Sequence, residues 1–140
     1  MTAVIFDLDG TLSDASNREH FAKEGKWDEF YAACGNDSVN KPIALLADAM
    51  FKTDCRIYLI TGRPESVRKQ TEEWLMKHAI MYDKLFMRRE GDFRHDYEIK
   101  SEILDTIKDD ILFAVEDRAA AVKMYRDKGI TCLQCRDSSY

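Results

Sequence analysis

Asp7 and Asp9 stand two positions apart at the end of the apolar run Val4-Ile5-Phe6, and Gly10-Thr11 follow at once. Side chains two apart on an extended segment point to the same side, so both carboxylates can face one site. Like charges repel and each acid needs its own solvation, so a strand that needed only burial would not end this way. A divalent cation resolves the conflict, and Mg²⁺ suits carboxylate, carbonyl and water ligands. The same place then suits a phosphoryl group. The acids supply a nucleophile and a proton-transfer group, Thr61 a hydroxyl donor, and Lys100 a fixed positive charge against the developing negative one. Gly10 lets the backbone turn away and present amides to an anion.

The elements that must position these groups are legible as short apolar runs at about 3–6, 56–60, 84–87, 112–115 and 131–134, with room for a helix between successive runs. They are rich in Val, Ile and Leu and barely alternate, as parallel strands covered on both faces do. The expected fold class is α/β, a doubly wound, mainly five-stranded parallel sheet. Pro42 and Pro64 suit first helical turns, predicting helices over about 42–52 and 64–78. Asp96 is a candidate N-cap for a helix to about Ile107, and Gly129 closes a helix that begins near Arg118. Residues 17–34 are polar, with Phe21, Trp27, Phe30 and Tyr31 spaced for a small amphipathic helical element. In such a sheet, ligands bind beyond the carboxyl ends of the strands. Asp7 and Asp9, Thr61-Gly62-Arg63, and Glu116-Asp117-Arg118 all fall there.

A chain of 140 residues that is 45% hydrophobic and 11% aromatic can build one core, so a single domain over 1–140 is expected. No apolar run approaches the roughly 18 residues of a membrane span, and the acidic turn at Asp7 comes too early for a secretory signal. A cytoplasmic protein is expected, with Cys34, Cys55, Cys132 and Cys135 as free thiols. Cys132 and Cys135 have metal-like spacing but no second ligand pair. The net charge of -5 argues against a generic basic nucleic-acid coat. It leaves room for a local patch, and "MRREGDFRHDYEIK" gathers Arg88, Arg89, Arg94, His95 and Lys100 in one connection.

The stretches "DLDGTL" at 7–12, "TGR" at 61–63, the downstream Lys100 and "FAVED" at 113–117 resemble, in order, motifs one to four of the haloacid dehalogenase superfamily of phosphohydrolases. The resemblance implies a Rossmann-like fold of haloacid dehalogenase type, with Asp7 as the nucleophile and Asp9 as general acid and base. It also implies Thr61 and Lys100 on the phosphate, and Mg²⁺ held by Asp7, the Asp9 carbonyl and Asp117. "RREGDFRHDYEIK" at 88–100, Arg18 and the "EDR" ending at Arg118 are similar to one branch, the 3′-phosphatase domains of bacteriophage polynucleotide kinase-phosphatases. That likeness implicates Arg18, Arg63, Arg88 and Asp96 in phosphatase function, with Gly10, Thr11, Gly62 and Arg118 beside them as substrate contacts. The branch carries Asp-Asp in motif four where this chain has Glu116-Asp117, which leaves open which of the two meets the metal. No G-x-x-x-x-G-K-[ST] stretch occurs, so any kinase or ligase would be a separate partner.

Alone, Lys100 reads as an exposed helical lysine, Asp-x-Asp as a solvated turn and the aromatics near Trp27 as core rather than a stacking platform. Only their places in the motif series promote Asp7, Asp9 and Lys100. The gaps between motifs hold no full cap domain, and an open site would admit a polymer end. The first expectation is a Mg²⁺-dependent phosphatase for 3′-phosphorylated DNA or RNA ends, 2′,3′-cyclic ends included. The alternatives are a phosphatase of free nucleotides or other small phosphomonoesters, and a non-catalytic module that binds nucleic-acid ends or a protein.

Overall fold

The apolar run before Asp7 forms β1 (Thr2–Phe6), buried in all but its first residue. The computed structural model describes residues 1–138, and in it β1 is the middle strand of the sheet. The other strands are β2 (Ser13–Asp14), β3 (Ser38–Val39), β4 (Arg56–Pro64), β5 (Lys84–Arg88), β6 (Asp110–Glu116) and β7 (Cys132–Gln134). Five of them make a sheet in the order β5-β4-β1-β6-β7, every pair parallel. The expected fold class is the one observed.

The strand period of two splits the core into two layers. Val4, Phe6 and Leu59 pack on one face with Ala47, Trp74 and Leu75, which come from α3 (Lys41–Phe51) and α4 (Arg68–Lys77). Ala3, Ile5 and Ile60 pack on the other with Leu104, Val122 and Tyr125, from α5 (Asp96–Thr106) and α6 (Ala119–Asp127). Gly129, at φ +80°, follows α6 as expected.

Three local expectations are corrected. The single amphipathic element is two short helices, α1 (Glu19–Lys23) and α2 (Trp27–Ala32), parted at Gly25, whose φ of +74° no helix accommodates. β2 and β3, which the sequence reading did not foresee, pair antiparallel and close the base of this excursion. Pro64 ends β4 rather than opening a helix: its ψ of 157° is extended, and a 3₁₀ turn over Glu65–Val67 precedes α4. The N-cap of α5 is His95, whose N–H donates to Glu98 Oε2 at 3.1 Å, so Asp96 is the first helical residue and its carboxylate is left for the site. The four cysteines are free. Among the described residues, no helix is long and apolar enough to cross a membrane.

Candidate active site

The carboxyl ends of β1, β4 and β6 converge, and α5 brings a lysine among them. Lys100 is completely buried; its Nζ donates to Asp7 Oδ1 at 2.9 Å and to Glu116 Oε2 at 2.6 Å, and lies 3.7 Å from Asp96 Oδ2. Burial alone would lower its pKa, yet the Asp7 and Glu116 charges hold it well above the ordinary lysine value. The exposed-lysine reading is excluded.

Asp7, Glu116 and Asp117 are buried with ligand atoms all within 4.8 Å of one another. One lysine cannot neutralise three carboxylates. Burial first, then the Glu116 charge, pushes the Asp7 carboxyl up to about 8 against the pull of Lys100. Burial and the Asp7 charge push Asp117 up to about 7. Asp117 Oδ2 is buried with no hydrogen-bond partner. Glu116, by contrast, is fully engaged: beyond Lys100, its Oε1 accepts the N–H groups of Asp117 at 3.0 Å and Arg118 at 3.3 Å. The orphaned oxygen, the surplus negative charge and the hard oxygen donors fit a divalent cation such as Mg²⁺. Gly10 keeps the place clear, since a Cβ there would lie 2.1 Å from Asp117 Oδ2 and its φ is +81°. Thr11 Oγ1 donates to Asp7 Oδ2 at 3.3 Å.

Asp9 belongs to a second group. Its side chain is not among the three clustered carboxylates. Oδ1 accepts Arg63 Nε at 3.1 Å, Arg63 Nη2 at 2.7 Å and Arg18 Nη2. Arg18 and Arg63 are both fully buried. Arg18 also holds Asp37 through Nε at 2.8 Å and Nη2 at 2.6 Å, and Arg63 Nη1 donates to Thr71 Oγ1 at 3.0 Å. Although burial opposes it, the charges of Arg63 and Arg18 hold the Asp9 carboxyl far below the usual carboxylate range.

Asp37 is the residue the sequence reading missed. It arrives on the turn before β3, and its carbonyl accepts Trp74 Nε1 at 2.8 Å. Nothing in its neighbourhood, Gly35-Asn36-Asp37-Ser38, distinguishes it from an ordinary turn acid.

The rim holds the remaining candidates. Thr61 is buried, and its Oγ1 accepts the Arg63 N–H at 3.1 Å, which leaves its own hydrogen to donate. Arg118 Nη1 stands 3.3 Å from Asp96 Oδ2, and its guanidinium lies 5.9 Å from the centre of the Trp27 ring. Arg88 spends its donors on the chain: Nε on Gly62 O at 2.8 Å, Nη1 on Asp92 O at 2.9 Å and on Arg94 O at 2.6 Å. Arg88 therefore shapes the connection between β5 and α5. Gly62 must stay small, since a Cβ would lie 3.0 Å from that of Asp96. A cavity of about 20 Å³ lies between Asp7, Asp9 and Gly62 on one side and Trp27, Phe30 and Tyr31 of α2 on the other. The excursion carrying α1 and α2 is thus a minimal cap.

The family described as polynucleotide kinase PNKP phosphatase domain matches residues 1–140. Among solved structures, the Pnkp1/Rnl/Hen1 RNA repair complex is similar at 32% identity and a TM-score of 0.87, over 99% of this chain and 43% of that one. A putative bifunctional polynucleotide kinase/RNA ligase of Autographa californica nuclear polyhedrosis virus is 28% identical over 141 residues, 96% of this chain and 20% of that protein. The chain thus spans about a fifth of that curated relative and under half of that solved chain. The class C acid phosphatase from Bacillus anthracis, at 16% identity and a TM-score of 0.71 over 99% of this chain and 67% of that one, shares the fold.

Proposed function

The chain belongs to the family of polynucleotide kinase PNKP phosphatase domains, and on that premise we propose that it is a single-domain, Mg²⁺-dependent phosphomonoester hydrolase that removes the 3′-phosphate from nucleic-acid ends through an aspartyl-phosphate on Asp7. The observation that carries this reading is the buried cluster of Lys100, Asp7, Glu116 and Asp117 around the orphaned Asp117 Oδ2. Asp7, Asp117 and the Asp9 carbonyl would hold Mg²⁺, which would supply the positive charge needed to admit a phosphate dianion.

Asp7, ionised once its neighbours are compensated, attacks phosphorus while the bond from phosphorus to the 3′ oxygen breaks. Lys100 and Thr61 hold the equatorial oxygens, and Thr11 keeps Asp7 aimed. The leaving oxygen takes a proton from Asp9. Arg18 and Arg63 keep Asp9 ionised when the site is empty; the arriving phosphate charge raises its proton affinity, so that it takes up from solvent the proton it then gives to the leaving oxygen. Water then attacks the acyl-phosphate, Asp9 takes its proton, and the bond from Asp7 to phosphorus breaks to give inorganic phosphate and the restored carboxylate. Arg18 and Arg63, buried on Asp9, are positioning residues, whereas Arg118 and Asp96 line the rim that substrate meets. A kinase or ligase on an adjoining segment or a separate chain would use the 3′-hydroxyl so produced. DNA and RNA ends, and 2′,3′-cyclic ends, are the substrates to compare.

The test is a panel of 3′-phosphorylated oligonucleotides, 5′-phosphorylated oligonucleotides and nucleotides, assayed for phosphate release with Mg²⁺ and with EDTA. The expected result is release from 3′ ends, lost with EDTA and lost in Asp7→Asn. Preference for 5′ ends or small esters rejects the substrate, and turnover by Asp7→Asn rejects the covalent route.

A further inference from the structure

Two hollows meet over the site. The small cavity lies against Asp7, Asp9 and Gly62, and a cleft of about 450 Å³ opens beside it, between α2 and the connection from β5 to α5. The cavity is where the phosphate reacts. The cleft, within the range of about 300–1,000 Å³ that small-molecule sites occupy, is the room for what the phosphate is attached to. In a bound substrate the atom at their junction is the oxygen that joins the two parts.

Tyr31 of α2 lines both hollows, and its two ends do different things. The ring packs against the core and meets Phe30 edge-on, centres 5.3 Å apart, so the side chain is held in place. The hydroxyl points over the end of β4, where a Cβ on Gly62 would come 3.7 Å from it. The bonds that tie the site together join Lys100 to Asp7 and Glu116, and Asp9 to Arg63 and Arg18; the Tyr31 hydroxyl enters neither group. Burial, then the Asp9 charge, push it up to about 12. It therefore keeps its hydrogen at neutral pH and serves as a donor. The charge acting on it most belongs to the same acid that gives the leaving oxygen its proton.

We propose that Tyr31 is a further catalytic residue, whose hydroxyl donates a hydrogen bond to the oxygen between phosphorus and the 3′ carbon. The inference rests on the 3′-phosphatase reading. As the bond from phosphorus to that oxygen breaks, its electron pair goes to the oxygen, and a fixed donor gains most where charge develops. Asp9 still supplies the proton that ends on the 3′-hydroxyl, and Tyr31 keeps its own.

The experiment compares wild type with Tyr31→Phe, which keeps the ring and its contacts and removes only the hydroxyl. The substrates are two 3′-phosphorylated oligonucleotides that differ in one atom, oxygen or sulfur between the 3′ carbon and phosphorus. A departing sulfur is the weaker base and a weak acceptor, so it needs a donor far less. The reading is kcat/KM, which covers the steps through departure of the 3′ group and none after it. Tyr31→Phe should lose about a hundredfold on the oxygen ester, as deletion of one donor to a developing oxyanion does, and less than about threefold on the sulfur ester. Its melting temperature should match that of wild type. Losses as large on sulfur as on oxygen would give Tyr31 to the fold or to the phosphate itself. That result, or no loss on either ester, overturns the inference while the phosphatase reading stands. Failure of wild type to release phosphate from either ester overturns both.

Discussion

Arg63 places Nε and Nη2 on one oxygen of Asp9, at 3.1 and 2.7 Å, and does so with no exposure of its own side chain to solvent. A buried cation bound this way depends on its anion for more than catalysis. Breaking a buried pair from one side leaves a charge uncompensated, which costs about 3–5 kcal/mol. Asp9→Asn is therefore expected to destabilise the fold by several kcal/mol as well as to stop turnover. Asp7→Asn removes one of three crowded carboxyls and should leave metal-free stability at pH 8 equal or higher. Urea denaturation of both variants checks the contrast, and equal losses would contradict the separation of the two acids.

The raised Asp7 and Asp117 carboxyls set the pH response of the metal-free protein. Each holds a proton in the folded state that the unfolded chain releases at about pH 4. Between there and about 7 for Asp117, and about 8 for Asp7, the folded state binds more protons than the unfolded. Stability must fall as pH rises through that window, by about 1.4 kcal/mol per pH unit for each proton so held. Mg²⁺ should restore it, more at pH 8 than at pH 5. The depressed Asp9 acts in the opposite sense: its contribution is present above about pH 4 and lost on further acidification. Melting temperature against pH, with EDTA and with Mg²⁺, tests both, and a flat EDTA curve between pH 5 and 8 would refute the first.

The two acids of motif four should part in their response to metal. Asp117 has the unpartnered oxygen and Glu116 holds Lys100 and two amides. Asp117→Ala is expected to raise the Mg²⁺ concentration for half-maximal activity at least tenfold with little loss of stability. Glu116→Ala should chiefly lower stability, by about 3 kcal/mol, since it strips a buried lysine of a partner. Gly10→Ala should raise the Mg²⁺ requirement in the same way but also lower stability, because its methyl group meets Asp117 Oδ2 and its φ of +81° strains any side chain. The reverse order in a Mg²⁺ titration would give the ligand role to Glu116.

Arg88→Ala should lower kcat/KM on an oligonucleotide and on a small phosphoester to a similar degree, within about threefold, and independently of salt. Its donors go to three backbone carbonyls, so its loss loosens the connection from β5 to α5. Arg88→Lys should not rescue, because an ammonium cannot span Gly62 and Arg94 as a guanidinium fork does. Hydrogen exchange over residues 89–95 should rise in both variants. A loss confined to the oligonucleotide, and steeper at low salt, would give Arg88 a phosphate to hold.

Strand placement and the parallel sheet were legible because buried parallel strands leave continuous apolar runs, as Val4 to Phe6 and Ile57 to Ile60 do; the order β5-β4-β1-β6-β7 was not, since apolar runs do not say which strand lies beside which. Asp7, Thr61 and Asp117 were legible as neighbours because each follows the end of such a run, whereas Lys100, on a helix, was placed with them only by the order of the motifs. The partition of the two N-terminal acids was not. That Asp9 belongs to Arg18 and Arg63, and Asp7 to Lys100, depends on which side chains the packed excursion delivers, and spacing along one strand says nothing of that. Asp37 was invisible for the same reason, as a turn acid made essential by an arginine nineteen positions away. Pro64 misled because proline's fixed φ serves a strand end as well as a helix start. Trp27 and Phe30 share one short helix, and only the structure separates the first, 37% exposed, from the second, at 1%.

The ring of Asp9, Arg18, Asp37 and Arg63 has a consequence for descent. No member can change singly without stranding a buried charge, so mutational paths through any one of them pass by a poorly folded ancestor. Chains that share this excursion should carry Arg18 and Asp37 together or lack both. A lineage that replaced the pair with an apolar couple would keep its fold and leave Asp9 to Arg63 alone, with a carboxyl that ionises less readily.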